Sequence, residues 1–95
     1  AYDDALYAAD AAVTAGDRND WSAVPPFVRA ALDAIRAAPY GTLVERVRAL
    51  GADALTALRR QTPDYLHVRR RLRQLLVAIE TLQYRALADE LRRSP

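Results

Sequence analysis

The sequence predicts an all-α protein, a small bundle of three to five helices with a long C-terminal helix. Alanine, leucine and arginine dominate the composition, and these residues lead the helix scale, whereas β-favouring residues are scarce. Short turn signals separate segments in which apolar residues recur every three or four positions. A chain of 95 residues has room for one hydrophobic core, so residues 1–95 are expected to form a single helical domain.

The first helix is expected to begin after an N-cap at Asp3 and to run to about Ala15. Gly16 stands where a left-handed C-cap would end this helix. Pro25 and Pro26 are expected to open the second helix, because proline in the first turn removes only a donor that would be unpaired anyway.

Pro39 is expected to end the second helix near Ala38. Thr42, followed three residues later by Glu45, forms a capping box and predicts the start of a third helix. Gly51 leaves two interpretations open. It either ends the third helix, or it lies inside one longer helix.

The last helix is expected to begin at Thr62, Pro63 and Asp64, which supply an N-cap, a first helical residue and an acidic first turn. No helix breaker follows until Ser94, so this helix would span about thirty residues and about 45 Å. One apolar stripe on it alternates spacings of four and three, as a core-facing or coiled-coil helix requires. Its members are Val68, Leu72, Leu75, Ile79, Leu82 and Ala86, and it is widened by Leu76, Leu87 and Leu91.

A second apolar stripe lies on the opposite side of the same helix. Each of its members stands two positions after a member of the first stripe, and two positions correspond to a rotation of about 200°. Either this helix is central in its own bundle, or its second side meets another chain. Trp21 either closes one end of the bundle or anchors a partner, since tryptophan is enriched at interface hot spots. The candidate partner interface is therefore Val77, Thr81, Tyr84 and Ala88, together with Trp21.

Arginine supplies all fourteen cationic side chains, and its distribution along the chain is uneven. Residues 1–57 hold five arginines against eight acids, and residues 58–95 hold nine arginines against four acids. Such a division suits either pairing of one half with the other or an anionic partner for the second half. The candidates for nucleic-acid or anion contact are Arg59, Arg60, Arg69, Arg70 and Arg73, with Arg71 in the same cluster.

A helix-turn-helix would support the nucleic-acid hypothesis, and residues 42–60 have the required length, with a turn at Gly51 and Ala52. Before this segment stands the turn Ala38-Pro39-Tyr40-Gly41-Thr42. With this turn, residues 27–60 resemble the DNA-binding part of alkylguanine-DNA alkyltransferases, in which a helix ends in an Ile-Pro-x-Gly-like turn before a helix-turn-helix. That family's reactive cysteine motif is absent here, so alkyl transfer is excluded and no family is assigned.

Motifs for catalysis or metal binding are absent from the sequence. Without cysteine, thiolate chemistry and sulfur-rich zinc sites are excluded, and a Ser-His-Asp arrangement could form only through the single histidine, His67. The three glycines are too scattered for a phosphate-binding loop. We expect no catalytic residue, no cofactor and no metal.

These observations favour a non-enzymatic protein-interaction or oligomerisation module, whose partner is another protein or a second copy. A nucleic-acid-binding or regulatory domain is the second hypothesis, and a small helical enzyme with an arginine-lined pocket for an anionic substrate is the third. No small-molecule ligand is evident.

The longest uncharged runs, of eight residues, are well short of the ~20 that span a bilayer. The arginine bias indicates a GC-rich bacterial genome, the expected location is cytoplasmic, and the missing initiator methionine indicates a piece excised from a longer protein.

Overall fold

The protein is described by a computed structural model that covers residues 2–94. These residues form four α-helices, α1 Tyr2–Asp17, α2 Val24–Ala34, α3 Gly41–Leu58 and α4 Tyr65–Arg93, and a 3₁₀ turn, Trp21–Ala23, precedes α2. No β-strand occurs in this part of the chain. The predicted all-α bundle with a long C-terminal helix is confirmed.

The four helices form a closed ring, in which each packs against the next and α4 packs against α1. Helices α1 and α4 are antiparallel, because Asp17 at the end of α1 contacts Arg73, whereas Asp3 at its start contacts Gln83 further along α4. Helix α3 also runs antiparallel to α4. The molecule is elongated, 54 × 22 × 18 Å, because α4 is much longer than α1 and α2.

The hydrophobic core is one cluster of buried side chains, to which all four helices contribute. Helix α1 contributes small residues, which let its backbone approach α2 and α4 closely, and α4 contributes the larger ones. The first apolar stripe of α4 is confirmed from Val68 to Leu82, and Ala86 beyond it is half-buried. The buried residues of these two helices include Ala5, Ala8, Ala9, Ala12 and Ala15 of α1 and Val68, Leu72, Leu75, Ile79 and Leu82 of α4.

The end of α1 differs from the prediction, because the helix continues through Gly16. Asn19 adopts the left-handed conformation instead, with φ of 60°. The Asn19 N–H bonds the Gly16 carbonyl, and the Asp20 N–H bonds the Ala15 carbonyl, so a Schellman motif with asparagine ends the helix.

Both glycines discussed as helix breakers instead mark close helix packing. A Cβ on Gly16 would lie 3.3 Å from both Leu72 and Trp21, and a Cβ on Gly51 would lie 2.9 Å from Leu32. Gly51 is buried inside one continuous α3. The longer-helix interpretation is therefore the right one, and the proposed turn at residues 51–52, with the helix-turn-helix built on it, is wrong.

The starts of α1 and α3 lie slightly earlier than predicted. Helix α1 begins at Tyr2, so Asp3 lies in its first turn rather than at its N-cap. Helix α3 begins at Gly41 with Tyr40 as its N-cap, and no side-chain capping bond forms, so the capping box predicted at Thr42 is wrong.

The end of α2 and the N-cap of α4 also differ from the prediction. The two prolines lie in the first turn of α2, as predicted, but α2 ends at Ala34 rather than near Ala38. The N-cap of α4 is Asp64 rather than Thr62, because the Asp64 carboxylate accepts a hydrogen bond of 3.2 Å from the His67 N–H.

Candidate interaction surface

The side of α4 that faces away from the core is largely uncovered. Val77 is 60 % exposed and Tyr84 is 75 % exposed, Thr81 is exposed, and Ala88 is half-buried. Helices α1 and α3 pack on the two flanks of α4, and α2 packs against α1 and α3 instead. The interpretation in which the bundle itself covers this side is therefore wrong, and the second apolar stripe lies at the surface.

Two leucines that were expected to widen the core stripe join this exposed side. Leu87 is 52 % exposed and Leu91 is 76 % exposed. Because Asp3 at the start of α1 lies level with Gln83, α1 does not reach the last turns of α4. We call the exposed side the outer face. It comprises Val77, Glu80, Thr81, Tyr84, Leu87, Ala88 and Leu91.

An open groove of about 770 Å³ runs between α1 and α4 along this outer face. Its walls are mostly apolar, and Leu6 is the residue of α1 that extends the apolar surface beyond α4. Asp10 and Glu80 are the two carboxylates in the groove, and neither forms an ion pair with another residue in the described range 2–94. The lining comprises Leu6, Asp10, Leu76, Val77, Glu80, Thr81, Gln83, Tyr84 and Leu87.

A hydrogen bond holds the last turns of α4 in place beside the outer face. The Tyr40 hydroxyl donates to Asp89 Oδ2 at 2.6 Å. This bond, assisted by the nearby Arg85 and Arg92, holds the pKa of Asp89 below its ordinary value, and the same contact raises the pKa of Tyr40. Arg85 also lies over the Tyr40 ring, 6.0 Å from its centroid.

Two arginines of the predicted cluster bind aspartates of the acidic first half of the chain. Arg73 donates to both carboxylate oxygens of Asp17, at 2.9 and 3.0 Å. The Arg71 Nε donates to Asp53 Oδ2 at 2.7 Å. The predicted pairing of one half with the other therefore occurs at these positions.

Arg69 and Trp21 belong to one packed cluster at the start of α4. The Arg69 Nε donates to the Gly16 carbonyl at 3.2 Å, and its guanidinium also bonds the Asn19 side chain. The same guanidinium lies 5.2 Å from the Trp21 ring centroid, and the Trp21 ring stacks on Tyr65 with centroids 4.5 Å apart. Trp21 is half-buried there and is not brought together with the outer face.

The remaining arginines of the cluster face solvent. Arg59, Arg60 and Arg70 are exposed, and none of them forms an ion pair with any residue between 2 and 94. The predicted anion-contact residues are thus divided into an internally paired group and an exposed group.

His67 is held by a carboxylate rather than by a hydroxyl. Its Nε2 atom lies 2.8 Å from Asp53 Oδ2, the same oxygen that accepts from Arg71. The hydrogen bonds from Arg71 and His67 lower the pKa of Asp53. The serines that the structure describes bond elsewhere, Ser22 to an aspartate beside it and Ser94 to a backbone carbonyl, so they form no Ser-His-Asp arrangement with His67.

Comparisons with protein families, with curated proteins and with solved structures found no match for this chain. In the described part of the chain, no three histidine or acidic side chains lie together as a metal-binding group. No helix within that part combines the length and the apolar character needed to cross a membrane.

The sequence identified the α4 half of the surface and missed the α1 half. Leu6 and Asp10 lie on α1, and only the packing of α1 against α4 brings them to the groove. Glu80 was the residue that spacing alone could have found, because it lies three positions after Val77 and four before Tyr84, in the same heptad pattern.

Proposed function

We propose that this domain is a non-enzymatic protein-interaction module that binds a protein partner through the outer face and the α1/α4 groove. The observation that carries the proposal is the exposure of Val77, Tyr84, Leu87 and Leu91 on one side of one helix. Single exposed apolar residues are ordinary, but a contiguous apolar surface with a polar rim is typical of an interaction site.

The groove has the shape and chemistry that a helix or an aromatic side chain requires. Its apolar walls supply a surface that can be removed from water, at about 25 cal/mol for each Å² buried. Asp10 and Glu80 supply acceptors for a hydroxyl or a cation of the partner. Partner specificity would come from these two carboxylates, because apolar contact alone discriminates poorly between partners.

Photo-crosslinking in cells tests this function. A benzoylphenylalanine replaces Tyr84 in the outer face, and the matched control replaces Tyr7, a tyrosine of α1 that is 78 % exposed and outside the groove. We expect an adduct with a polypeptide from position 84 and little or none from position 7. Equal labelling from both positions would contradict the proposed surface.

A second candidate function, nucleic-acid contact, is favoured by one observation: the exposure of Arg59, Arg60 and Arg70 without ion pairs. Cations supply most non-specific affinity for phosphates, and this affinity falls steeply with salt. In fluorescence anisotropy between about 50 and about 200 mM salt, Arg59→Ala with Arg70→Ala should weaken DNA binding and flatten its salt dependence. Unchanged binding by that double variant would reject this function.

The proposal places the module in the cytoplasm of a bacterial cell, on the basis of the arginine bias and the composition alone. The third hypothesis, a small helical enzyme acting on an anionic substrate, stays a prediction.

A further inference from the structure

We infer that the occupant of the α1/α4 groove is a second copy of this chain, whose α4 packs antiparallel against the first. This inference rests on the proposed function and names its partner. In the resulting two-fold dimer, Tyr84 of each copy enters the groove of the other.

The side chain of Tyr84 complements the groove beside Glu80. The tyrosine ring would cover Leu6 and Val77, which form the apolar walls. Its hydroxyl is a donor, and Asp10 and Glu80 are acceptors without an ion pair in the described chain. A two-fold interface uses one patch twice, so a chain that carries both the aromatic side chain and its groove can form both halves of the contact.

The heptad spacing of the outer face fixes the register of the two helices. Val77, Tyr84 and Leu91 occupy one heptad position, and Glu80 and Leu87 occupy the other. In an antiparallel pair these two positions face each other. Placing Val77 opposite the partner's Leu87 brings Tyr84 opposite the partner's Glu80, and the two-fold axis then passes near Thr81.

Charge along α4 favours the antiparallel orientation. The outer side of α4 carries Arg70 in its first half and Glu80 further on. The antiparallel register sets Glu80 opposite the partner's Tyr84, and it places the two copies of Arg70 at opposite ends of the dimer. A parallel pair would instead set Glu80 against the partner's Glu80 and Arg70 against the partner's Arg70, and such like-charge contacts are unfavourable.

The molar mass of the purified chain is the first test. We expect light scattering after gel filtration to approach twice 10.6 kDa as the loaded protein concentration rises. Tyr84→Glu should return the chain to its monomer mass, because it places a carboxylate beside the partner's Glu80. Tyr7→Glu, at a tyrosine of similar exposure outside the groove, should still form dimers.

Single-cysteine variants test the register, and the absence of natural cysteine makes them unambiguous. With a short bifunctional maleimide, Thr81→Cys should link to its own copy, because it lies near the two-fold axis. Leu91→Cys should not, because the two copies of residue 91 are about 27 Å apart along the helices, at about 1.5 Å per residue.

The outcomes separate this inference from the proposed function. Linkage at position 81 without linkage at position 91, together with a mass that Tyr84→Glu lowers and Tyr7→Glu does not, supports the antiparallel dimer. A monomer mass at every concentration, or equal linkage at both positions, overturns it. If the chain is monomeric but the photo-crosslinker at position 84 labels a different protein, the interaction function stands and only the choice of partner fails.

Discussion

The hydroxyl of Tyr40, in the loop before α3, donates a 2.6 Å hydrogen bond to the carboxylate of Asp89, near the end of α4. Helix α1 does not extend to this level, so this bond is one of the contacts that fix the last turns of α4 to the bundle. The apolar residues Leu87 and Leu91 therefore lie on helical turns that are fixed to the bundle. A surface that is ordered before binding loses less entropy when it binds.

Removing the Tyr40 hydroxyl should loosen the end of α4. In Tyr40→Phe, we expect faster amide hydrogen exchange over the last turns of α4 and unchanged exchange in its buried middle, because local opening follows the loss of local contacts. Tyr7→Phe is the control, since Tyr7 is exposed on α1. Equal exchange in the wild-type chain and Tyr40→Phe would show that this bond does not hold the helix end.

The carboxylate of Asp53 should make stability depend on acid pH. Hydrogen bonds from Arg71 and His67 lower the pKa of Asp53 from its ordinary value of 3.8. The stabilisation is thus present above pH 3.8 and is lost as the pH falls through the lower pKa of the folded state. Because the group is half-exposed, Asp53→Asn should lower the free energy of unfolding at neutral pH by less than about 1 kcal/mol.

Urea titrations of the wild-type chain and Asp53→Asn between neutral and acid pH check this prediction. The two curves of stability against pH should converge below the folded-state pKa of Asp53. Asp33→Asn is a control at a carboxylate that is 74 % exposed and pairs at 3.7 Å with Arg36. A difference that persists undiminished in acid would mean that the substitution acts through something other than the carboxylate charge.

A methyl group at Gly51 should destabilise the chain slightly, although alanine favours helices. A Cβ at this position would lie 2.9 and 3.0 Å from the two Cδ atoms of Leu32 and 3.2 Å from its Cγ. Overpacking costs about 1–3 kcal/mol, and the helix propensity of alanine recovers about 1 kcal/mol. Gly51→Ala should therefore lower the free energy of unfolding by about 1 kcal/mol.

Thermal or urea unfolding measures this effect against Gly41→Ala, because nothing lies within 4 Å of a Cβ at Gly41. That control should be neutral or slightly stabilising. Stabilisation of the chain by Gly51→Ala would show that Leu32 moves aside freely.

The two sides of α4 should respond differently to the same truncation. Leu82→Ala should cost about 2–5 kcal/mol, because Leu82 is fully buried and its loss leaves a cavity. Leu91→Ala should change stability by no more than about 0.5 kcal/mol when unfolding is measured at a dilution where the chain is monomeric. Comparable losses for both variants would place Leu91 in the core.

The sequence predicted those features that depend on local periodicity. The stripe from Val68 to Leu82 follows helical spacing, and both the length of α4 and the all-α class follow from it. The second apolar stripe, which includes Val77 and Tyr84, was predicted for the same reason. Whether the bundle covers that second stripe was not predictable, because it depends on where α1, α2 and α3 end.

The wrong predictions concern residues whose role is decided by tertiary contacts. Leu87 and Leu91 continue the apolar pattern, but α1 does not reach them. Glycine is common at helix ends, yet at Gly16 and Gly51 neighbouring side chains occupy the space that a Cβ would need. The arginine cluster looked uniform along the chain, and only the fold shows that Arg71 and Arg73 pair with distant aspartates whereas Arg70 does not.

The most direct test of the central claim is an isotope-filtered NMR experiment on a mixture of labelled and unlabelled chains. Along one helix, Val77 and Tyr84 are about 10 Å apart, too far for a nuclear Overhauser effect within one copy. We expect an intermolecular effect between the Val77 methyl groups of one copy and the Tyr84 ring of the other. Its absence, under conditions where the chain has twice its monomer mass, would show that the copies meet through another surface and would contradict the groove as their docking site.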